Sequence, residues 1–374
     1  MPRNNLKKPS IAFLMPGGGK LPAGGYKVVY EYANRFAKDG YDVSIVYPAF
    51  ISNDRIITKK KRFISFLRYF YYKLGYCSCS KWFKLHNAIH EQSVYCLNQK
   101  FVPKADIYIA TARPTSLYLS QYDIPQNRKF YFIQDFENWG VQDSEVIKTY
   151  KLGLQNIVIS KWLEDILFQN GVKSIRIPNG FDFNYFKKST AIESRNPFCI
   201  AMLYNPRESK GCKYGISALI ELKKIYPQLT AKLFGACNRP ADLPDWIEYY
   251  KQPDCVTHNR IYNESAIYIA PSLSEGWGLT VGEAMICGAA VVCTDAAGFK
   301  EMITDGTNGL ICECKNTIDI VTKVKSLIEN NAERTRLAAN GNTSIRNFTW
   351  EKSYQTFREL INHSISHDDS YLLS

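Results

Sequence analysis

The segment that most constrains the fold of this chain is residues 274–285, S-E-G-W-G-L-T-V-G-E-A-M. It follows residues 266–270, a β-branched and aromatic run that is typical of a buried strand. Two glycines then favour a tight loop, and Thr280 has the side chain of a helix N-cap. The segment therefore predicts a strand, a loop and a helix in succession. Glu275 lies on the predicted loop, and Glu283 lies about one turn into the helix.

The predicted loop is a favourable place for a phosphate group. In open α/β sheets, ligands bind in the crevice at the carboxyl ends of the strands. The backbone N–H groups of residues 277–281 lie at the predicted helix start, where they point outward and favour anions. We therefore expect a phosphorylated ligand here. The alternative is a helix that merely begins after two glycines, with both glutamates in solvent.

Two further segments continue this pattern, G-A-A-V-V-C-T-D-A-A-G at residues 288–298 and E-M-I-T-D-G-T-N-G-L-I-C at residues 301–312. Together the three segments closely resemble the signature of retaining glycosyltransferases of family 4. The resemblance implies an α/β architecture called GT-B, in which two Rossmann-like domains face a central cleft and a C-terminal helix crosses back to the N-terminal domain. It implies an acceptor domain at residues 1–178, joined by a tail helix at about residues 352–374, and a donor domain at residues 179–351.

The resemblance also implies roles for matching residues of the donor domain. Glu283 would hold the ribose hydroxyls of a nucleotide-diphosphate sugar, and Glu275 would contact the donor sugar as a catalytic residue. No cofactor is implied beyond this donor substrate. Backbone groups of the intervening loop would meet the sugar and the diphosphate, and these donor-binding residues are Gly276, Trp277, Gly278, Leu279 and Thr280.

Positive charge is expected beside the diphosphate. The family commonly supplies an arginine and a lysine in a pattern like G-R-x-x-x-x-K-G, and residues 201–211 are A-M-L-Y-N-P-R-E-S-K-G. Lys210 matches this pattern, but Tyr204 stands near the arginine position. We expect Arg207 to replace that arginine through its long reach. Fixed cations there would stabilise the departing diphosphate as its charge grows, so Lys210 is a predicted catalytic residue.

The N-terminal half predicts another α/β domain. Residues 11–15 are typical of a strand, and residues 26–39 have the pattern of an amphipathic helix. Between them lies a glycine-rich loop in which Gly24 and Gly25 resemble the family's loop near the donor phosphates. A nicotinamide-binding Rossmann domain would use similar glycines, but this loop lacks the spacing G-x-G-x-x-G.

Alternation of strands and helices continues along the chain. Residues 178–186, P-N-G-F-D-F-N-Y-F, resemble the family's junction between the two domains, although an ordinary Asn-Gly turn is the alternative. Further strands are predicted at residues 107–110, 129–133, 156–159, 175–177, 199–203, 230–234, 290–293 and 310–312.

The acceptor domain should place a polar residue beside the anomeric carbon. Many family members have a histidine after the strand equivalent to residues 129–133, but this chain continues with Q-D-F-E-N-W-G. Asp135 lies closest to that position, and its carboxylate would orient the acceptor hydroxyl or accept its proton as a catalytic group. Glu137 is a predicted contact of the acceptor or the sugar.

Two alternatives compete for these carboxylates. Asp135 would serve as a helix N-cap, or Asp135 and Glu137 together would bind a metal. The family generally works without metal, so no metal site is predicted. Trp139 and Trp277 are predicted sugar contacts, because flat aromatic faces pack against sugar rings.

Composition limits the class of protein. A chain of 374 residues is long enough for two domains, and 45% hydrophobic with 22% charged residues is typical of globular proteins. No apolar run is long enough to span a membrane, and the polar N-terminus does not resemble a signal peptide. The eleven cysteines form no C-x-x-C pair, which favours a reducing compartment. We therefore expect a cytoplasmic protein.

Two histidine pairs have the spacing of a helix face, His86 with His90 and His363 with His367. A zinc-hydrolase helix would also need an internal glutamate and a third ligand. Exposed helices are therefore predicted at both places.

The chain carries 47 basic and 35 acidic side chains, a formal net charge of +12. The densest basic cluster is at residues 57–76, where aromatic residues follow Lys59, Lys60, Lys61 and Arg62. A basic, aromatic and amphipathic segment is typical of an interfacial anchor on anionic lipid. One alternative is a solvated basic helix packed on the sheet by its aromatics. Nucleic acid is not expected as a partner, because no recognised binding motif accompanies the charge.

The resemblance therefore predicts a retaining transferase that moves a hexosyl or deoxyhexosyl unit to a glycan or polyprenyl-linked acceptor. Family members of this kind assemble capsule, O-antigen or cell-wall polysaccharide, often at the inner face of the cell membrane. Residues 131–139 resemble those of rhamnosyltransferases. Two alternatives remain, a GT-B sugar-nucleotide epimerase and a non-catalytic subunit that binds sugar nucleotides. The sequence leaves the base, the sugar and the acceptor open.

Overall fold

The chain divides into two compact units. The computed structural model describes residues 8–19, 21–51, 59–71 and 80–366. The first unit comprises residues 1–178 and 351–374, and the second unit comprises residues 179–350.

The described part of the first unit is a parallel sheet with helices. Its strands are β1 (Ser10–Leu14), β2 (Asp42–Pro48), β3 (Ile89–Val94), β4 (Ile107–Ala110), β5 (Lys129–Ile133), β6 (Gln155–Val158) and β7 (Ile175–Arg176). Its helices are α1 (Gly24–Lys38), α2 (Lys59–Tyr71), α3 (Arg113–Leu119), α4 (Asp143–Tyr150) and α5 (Lys161–Gln169). The strand order is β3-β2-β1-β4-β5-β6-β7. Strands β4 and β5 are buried at every position, as expected for a parallel sheet covered on both faces.

Two predictions for the first unit are wrong in detail. The helix predicted around His86 and His90 is instead a turn followed by β3, and His90 lies on this edge strand beside Asp42 of β2. The glycine-rich loop is shorter than predicted, because α1 begins at Gly24. Gly24 and Gly25 are therefore the first two residues of a helix.

The described part of the second unit repeats this architecture. Its strands are β8 (Cys199–Leu203), β9 (Thr230–Gly235), β10 (Ile247–Lys251), β11 (Ile267–Ala270), β12 (Ala290–Thr294) and β13 (Leu310–Cys312). Its helices are α6 (Cys212–Ile225), α7 (Cys255–Glu264), α8 (Leu279–Cys287), α9 (Thr317–Glu329) and α10 (Asn331–Ser344). The strand order β10-β9-β8-β11-β12-β13 reverses direction between β8 and β11. This is the switch point at which open α/β sheets bind ligands.

A buried arginine joins the carboxyl ends of two helices in the second unit. The Arg195 guanidinium donates to the carbonyl oxygens of Tyr262 at 3.2 Å and Ser265 at 3.0 Å, where α7 ends. It also donates to the carbonyl of Cys287, the last residue of α8. Burial lowers the pKa of Arg195 to about 10, so it remains charged at neutral pH. The carbonyls that end a helix carry negative partial charge, which this cation neutralises.

The last helix, α11 (Trp350–Ser366), packs on α1 of the first unit from Glu351 onward. The rings of Tyr354 and Phe357 lie 5.0 and 5.6 Å from that of Phe36. Arg358 donates to Asp39 at 3.0 Å. The tail of the chain thus completes the first unit, as the resemblance implies. His363 lies on this helix, and His367 lies outside the described residues.

The first and last residues of the second unit lie side by side. The Phe181 amide donates to the carbonyl of Phe348 at 3.1 Å, and Phe181 forms a β-bridge with Thr349. A Cβ atom at Gly180 would lie 2.2 Å from the amide nitrogen of Trp350, so only glycine permits this approach. Within the described residues, no helix is long and apolar enough to cross a membrane.

Candidate functional site

Two loops meet at the switch point of the second unit, one after β8 and one after β11. Gly211 has φ of +58°, and a Cβ atom there would lie 2.0 Å from the carbonyl oxygen of Pro271. The amides of Leu273 and Ser274 donate to the carbonyl of Ser209 at 2.7 and 3.2 Å. Glycine at this position therefore lets the two loops pack directly on each other.

This packing brings together two of the predicted site residues. The Nζ atom of Lys210 lies 2.7 Å from Oε2 of Glu275. The side chains are 23% and 18% exposed, so the pair is accessible but mostly shielded from water. A lysine and a carboxylate, held at the carboxyl ends of two central strands, can bind an anion and a hydroxyl-rich group next to each other.

The start of α8 follows the prediction, but its N-cap does not. The predicted cap Thr280 lies inside the first turn, because Gly278, with φ of +99°, occupies the N-cap position. A left-handed residue there ends the loop abruptly, which only glycine does readily. In this part of the described chain, the amides of Leu279 and Thr280 have no protein acceptor. They are open to an anion at the positive end of the helix.

A third loop, which follows β12, supports the same site through Gly298. The Gly298 amide donates to the carbonyl oxygen of Glu275 at 3.1 Å. A Cβ atom at Gly298 would lie 2.4 Å from that same oxygen, so the two segments are in direct contact. This contact fixes the backbone of Gly276 next to it.

Glu283 lies on α8, five residues into the helix, and is only 4% exposed. The buried Tyr262 hydroxyl donates to its Oε2 at 3.1 Å. Burial raises the pKa of Tyr262, and the carboxylate of Glu283 raises it further, so the phenol stays protonated and can donate. Tyr262 was not predicted as a site residue, since an aromatic residue on a helix is most often part of the core.

Trp277 does not present its ring to a ligand. It is 3% exposed, and its ring packs edge-on against Phe348 at 5.4 Å. The prediction that this ring contacts a sugar is therefore wrong. Arg207 is exposed and caps the short 3-10 turn that carries Lys210. Its backbone amide donates to Oδ1 of Asn205 at 3.0 Å.

The predicted site residues of the first unit lie after β5. Asp135 is partly buried, and its Oδ1 accepts a hydrogen bond from the Phe136 amide at 2.9 Å. The alternative role of Asp135 as a helix N-cap is wrong, because α4 begins later, with Gln142 as its N-cap. Trp139 is 61% exposed and presents an aromatic face to solvent.

Glu137 has an unusual environment for a carboxylate. Its Oε2 accepts a hydrogen bond from the Arg113 amide at 2.6 Å. Desolvation by burial raises the pKa of Glu137 to about 7, and the charge of Asp135 contributes in the same direction. A carboxylate with a pKa near neutrality can exchange a proton under physiological conditions. Within the described residues, no three His, Cys, Asp or Glu side chains are grouped as metal ligands.

Gly25 lies close to this loop in the first unit. A Cβ atom at Gly25 would be 3.6 Å from the side-chain amide of Gln134, the residue before Asp135. The start of α1 and the end of β5 are therefore neighbours at one edge of the sheet.

The basic cluster predicted to contact a membrane begins α2. Lys59, Lys60, Lys61 and Arg62 form its first turn, and their side chains lie outside the described residues. Six apolar residues of α2 are between 46% and 63% exposed, namely Phe63, Ile64, Phe66, Leu67, Phe70 and Tyr71. These six side chains do not pack on the sheet, whereas Tyr69 of the same helix is partly buried, with its ring 6.3 Å from that of Tyr95. We call this set the apolar face of α2.

A family model matches most of the second unit. Residues 186–344 match the family model of glycosyl transferases, group 1. The second unit is similar to these enzymes. A stretch of 92 residues is 37% identical to an uncharacterized glycosyltransferase of Methanocaldococcus jannaschii, covering 25% of this chain and 26% of that protein. A match of 192 residues is 23% identical to phosphatidyl-myo-inositol mannosyltransferase of Mycolicibacterium smegmatis, covering 48% of this chain and 49% of that protein.

The chain thus spans about half or less of the length of these relatives. A solved structure extends the likeness to nearly the whole chain. Anabaena Alr3699/HepE in complex with UDP and glucose has a TM-score of 0.71 to this chain at 17% identity, covering 95% of this chain and 100% of that chain. The fold is GT-B, and the predicted fold class is confirmed.

Proposed function

We propose that this protein is a retaining glycosyltransferase that uses a nucleotide-diphosphate sugar as its donor. It transfers a hexosyl or deoxyhexosyl unit to a glycan or lipid-linked acceptor during assembly of capsule, O-antigen or cell-wall polysaccharide. The observation that carries this proposal is the contact of Lys210 with Glu275 at the switch point of the second unit. This contact lies inside the region that matches group 1 glycosyl transferases.

Each chemical group of the donor substrate, the nucleotide-diphosphate sugar, has a partner at this site. Lys210 and the amides of Leu279 and Thr280 suit the diphosphate, since a cation and a helix start both favour negative charge. Glu283 accepts hydrogen bonds from the ribose hydroxyls, and Glu275 contacts the donor sugar. Arg207 contributes a second positive charge. The complex of HepE with UDP and glucose supports UDP as the first nucleotide to test.

The leaving group needs stabilisation as the glycosidic bond breaks. Negative charge then grows on the diphosphate, and Lys210 with the helix-start amides stabilises it in place. We propose that this arrangement replaces a divalent metal. The transfer reaction should therefore persist in excess EDTA.

The acceptor side of the reaction belongs to the first unit. Asp135 and Glu137 offer two carboxylates after β5, and Glu137 has the pKa of about 7 that suits a proton acceptor at neutral pH. Trp139 offers an exposed ring for a sugar. The relative named for phosphatidyl-myo-inositol supports an acceptor attached to lipid.

We further propose that α2 brings the enzyme to the inner face of the cell membrane. Its first turn is the basic run Lys59, Lys60, Lys61 and Arg62, and its apolar face is exposed. Basic residues attract anionic headgroups, and exposed aromatic and aliphatic side chains insert at the interface.

A ligand panel tests the donor half of this proposal. Thermal shifts should be measured with UDP, GDP and dTDP, because a ligand that binds only the folded state raises the melting temperature. Sugar derivatives of the nucleotide that binds are then incubated with the protein and a lipid-linked acceptor, with and without EDTA. Product with the donor's anomeric configuration, seen by NMR, is expected. Conversion of the donor to its epimer, or binding without any turnover, contradicts the proposal in favour of an epimerase or a non-catalytic subunit.

A further inference from the structure

A cavity of about 340 Å³ is lined by residues of the first unit. It is bounded by the loop after β1, the residues that end β2 and one side of α2. Ligands of open α/β sheets bind at this end of the strands. Neither Asp135 nor Glu137 lines it.

The walls of this cavity favour an anion. Gly17 and Gly18 contribute backbone, and a Cβ atom at Gly17 would find no neighbour within 4 Å, so the chain there is open. The Tyr26 hydroxyl donates to the carbonyl oxygen of Gly17 at 2.7 Å, so this acceptor already has a hydrogen-bond partner. Arg68 lines the cavity, and none of its described lining residues is acidic. Among the described residues, none forms an ion pair or hydrogen bond with Arg68.

The helix α2 is oriented with its apolar side outward. Successive helix residues are separated by about 100° around the axis. Ser65 and Arg68 line the cavity, and among the described side chains of the helix Ser65 and Tyr69 are partly buried. The apolar face, from Phe63 to Tyr71, lies on the opposite side and is exposed. A ligand in the cavity therefore lies directly behind an apolar surface.

We propose that this cavity binds the phosphate or diphosphate group of a lipid-linked acceptor. The anionic group contacts Arg68 and the open backbone of Gly17 and Gly18, while its hydrocarbon chain continues past α2 toward the membrane. Arginine suits this role because its planar fork donates two parallel hydrogen bonds to phosphate oxygens. The inference deepens the proposed function, on which it rests for the identity of the acceptor.

The test is a binding measurement on the full chain with the donor site filled by a saturating nucleoside diphosphate. Farnesyl diphosphate is the probe, and inorganic pyrophosphate and farnesol are its two halves. We expect farnesyl diphosphate to bind more tightly than either half. Arg68→Gln should weaken its binding at least about tenfold, or ~1.4 kcal/mol. Ser65→Phe, which fills the cavity and keeps the arginine, should weaken it as well.

Lys104→Gln is the matched control. Lys104 is exposed and precedes β4, at the opposite edge of the same sheet, so removing its charge should change binding less than twofold. Equal binding of farnesyl diphosphate by wild type and Arg68→Gln overturns the proposal. Equal binding of pyrophosphate and farnesyl diphosphate also overturns it, because the site would then take a free anion. Failure of the proposed function would give a different result. The protein would then bind farnesyl diphosphate as expected but would not turn over a nucleotide-sugar donor.

Discussion

The Nζ atom of Lys210 lies 2.7 Å from Oε2 of Glu275, although the two residues are 65 positions apart in the chain. Parallel strands explain this contact, because β8 and β11 are neighbours and their following loops emerge at the same edge of the sheet. In this contact the carboxylate neutralises the cation. A bound diphosphate would compete with Glu275 for Lys210 and leave the carboxylate to the sugar.

This competition predicts opposite effects for the two residues. Glu275→Gln should lower kcat by about a hundredfold, or ~2.7 kcal/mol, yet leave affinity for the nucleoside diphosphate unchanged or higher. Lys210→Gln should weaken that affinity about tenfold. Calorimetry and initial rates measure both. As a control, Lys232→Gln removes a lysine that pairs with Glu264 elsewhere in the unit and should have little effect. Loss of nucleotide affinity in Glu275→Gln would contradict this assignment.

The second prediction concerns the nucleotide end of the donor. Glu283→Gln should weaken nucleoside diphosphate binding at least about tenfold, because hydrogen bonds to a charged group contribute ~1.5–3 kcal/mol. Tyr262→Phe is the control, since it removes only the hydroxyl that donates to Glu283. Its effect should be smaller than that of Glu283→Gln. Unchanged calorimetric affinity in Glu283→Gln would show that this carboxylate does not hold the ribose.

The third prediction concerns stability. Arg195→Met leaves several buried carbonyl oxygens at the ends of α7 and α8 without a donor, and each costs ~1–3 kcal/mol. The free energy of unfolding should fall by at least about 3 kcal/mol in chemical denaturation. Arg336→Met is the matched control, because Arg336 pairs with Glu333 on the surface and such pairs contribute ~1 kcal/mol or less. Similar losses in both variants would contradict the structural role of Arg195.

The fourth prediction is a dependence on pH. The pKa of Glu137 is raised from 4.5 to about 7, so the folded protein retains a proton that the unfolded chain has lost. As pH rises from 4.5 to about 7, the contribution of Glu137 to the free energy of unfolding should therefore fall. In Glu137→Gln this dependence of stability on pH should disappear.

The same pKa predicts a second effect, on activity. If Glu137 takes up the proton of the acceptor hydroxyl, kcat/KM should rise with pH around 7, and Glu137→Gln should lose this rise. A pH–rate profile unchanged in Glu137→Gln would exclude that role.

The fifth prediction is binding to anionic vesicles. Each basic residue near an anionic surface contributes ~1 kcal/mol, within a Debye length of ~8 Å at physiological salt. Replacing Lys59, Lys60, Lys61 and Arg62 with Gln should reduce co-sedimentation, as should replacing Phe63, Phe66 and Phe70 with Ser.

The control for the apolar variant is Phe168→Ser, which alters an isolated ring that is 79% exposed on α5. Transfer to a short soluble acceptor should be spared in the α2 variants. Wild-type protein that fails to co-sediment with anionic vesicles at low salt would refute membrane contact.

The sequence predicted the central strands accurately because they are apolar on both faces. The bounds of β4, β5 and β8 agree with the prediction to the residue. The edge strand β3 was missed because a partly exposed strand needs no apolar run, and its pattern Ile-His-Glu-Gln-Ser-Val carries little periodicity.

The candidate site was predictable where backbone geometry requires glycine, and less so where tertiary packing decides. Gly276 and Gly278 correctly predicted the loop. The N-cap of α8 is Gly278 and not the predicted Thr280, because the left-handed backbone of Gly278 ends the loop first. Burial of Trp277 against Phe348 depends on a segment 71 residues later in the chain. No local pattern encodes such a contact.

The neighbouring ends of the second unit have a consequence for the order in which the protein folds during synthesis. Residues 179–350 form one uninterrupted stretch, so this unit can complete its core during synthesis before the residues from Glu351 onward have left the ribosome. The aromatic cluster around Phe36 must wait for Tyr354 and Phe357. The half of the protein that is made first is therefore finished last, and until then its α1 surface is exposed to chaperones and proteases.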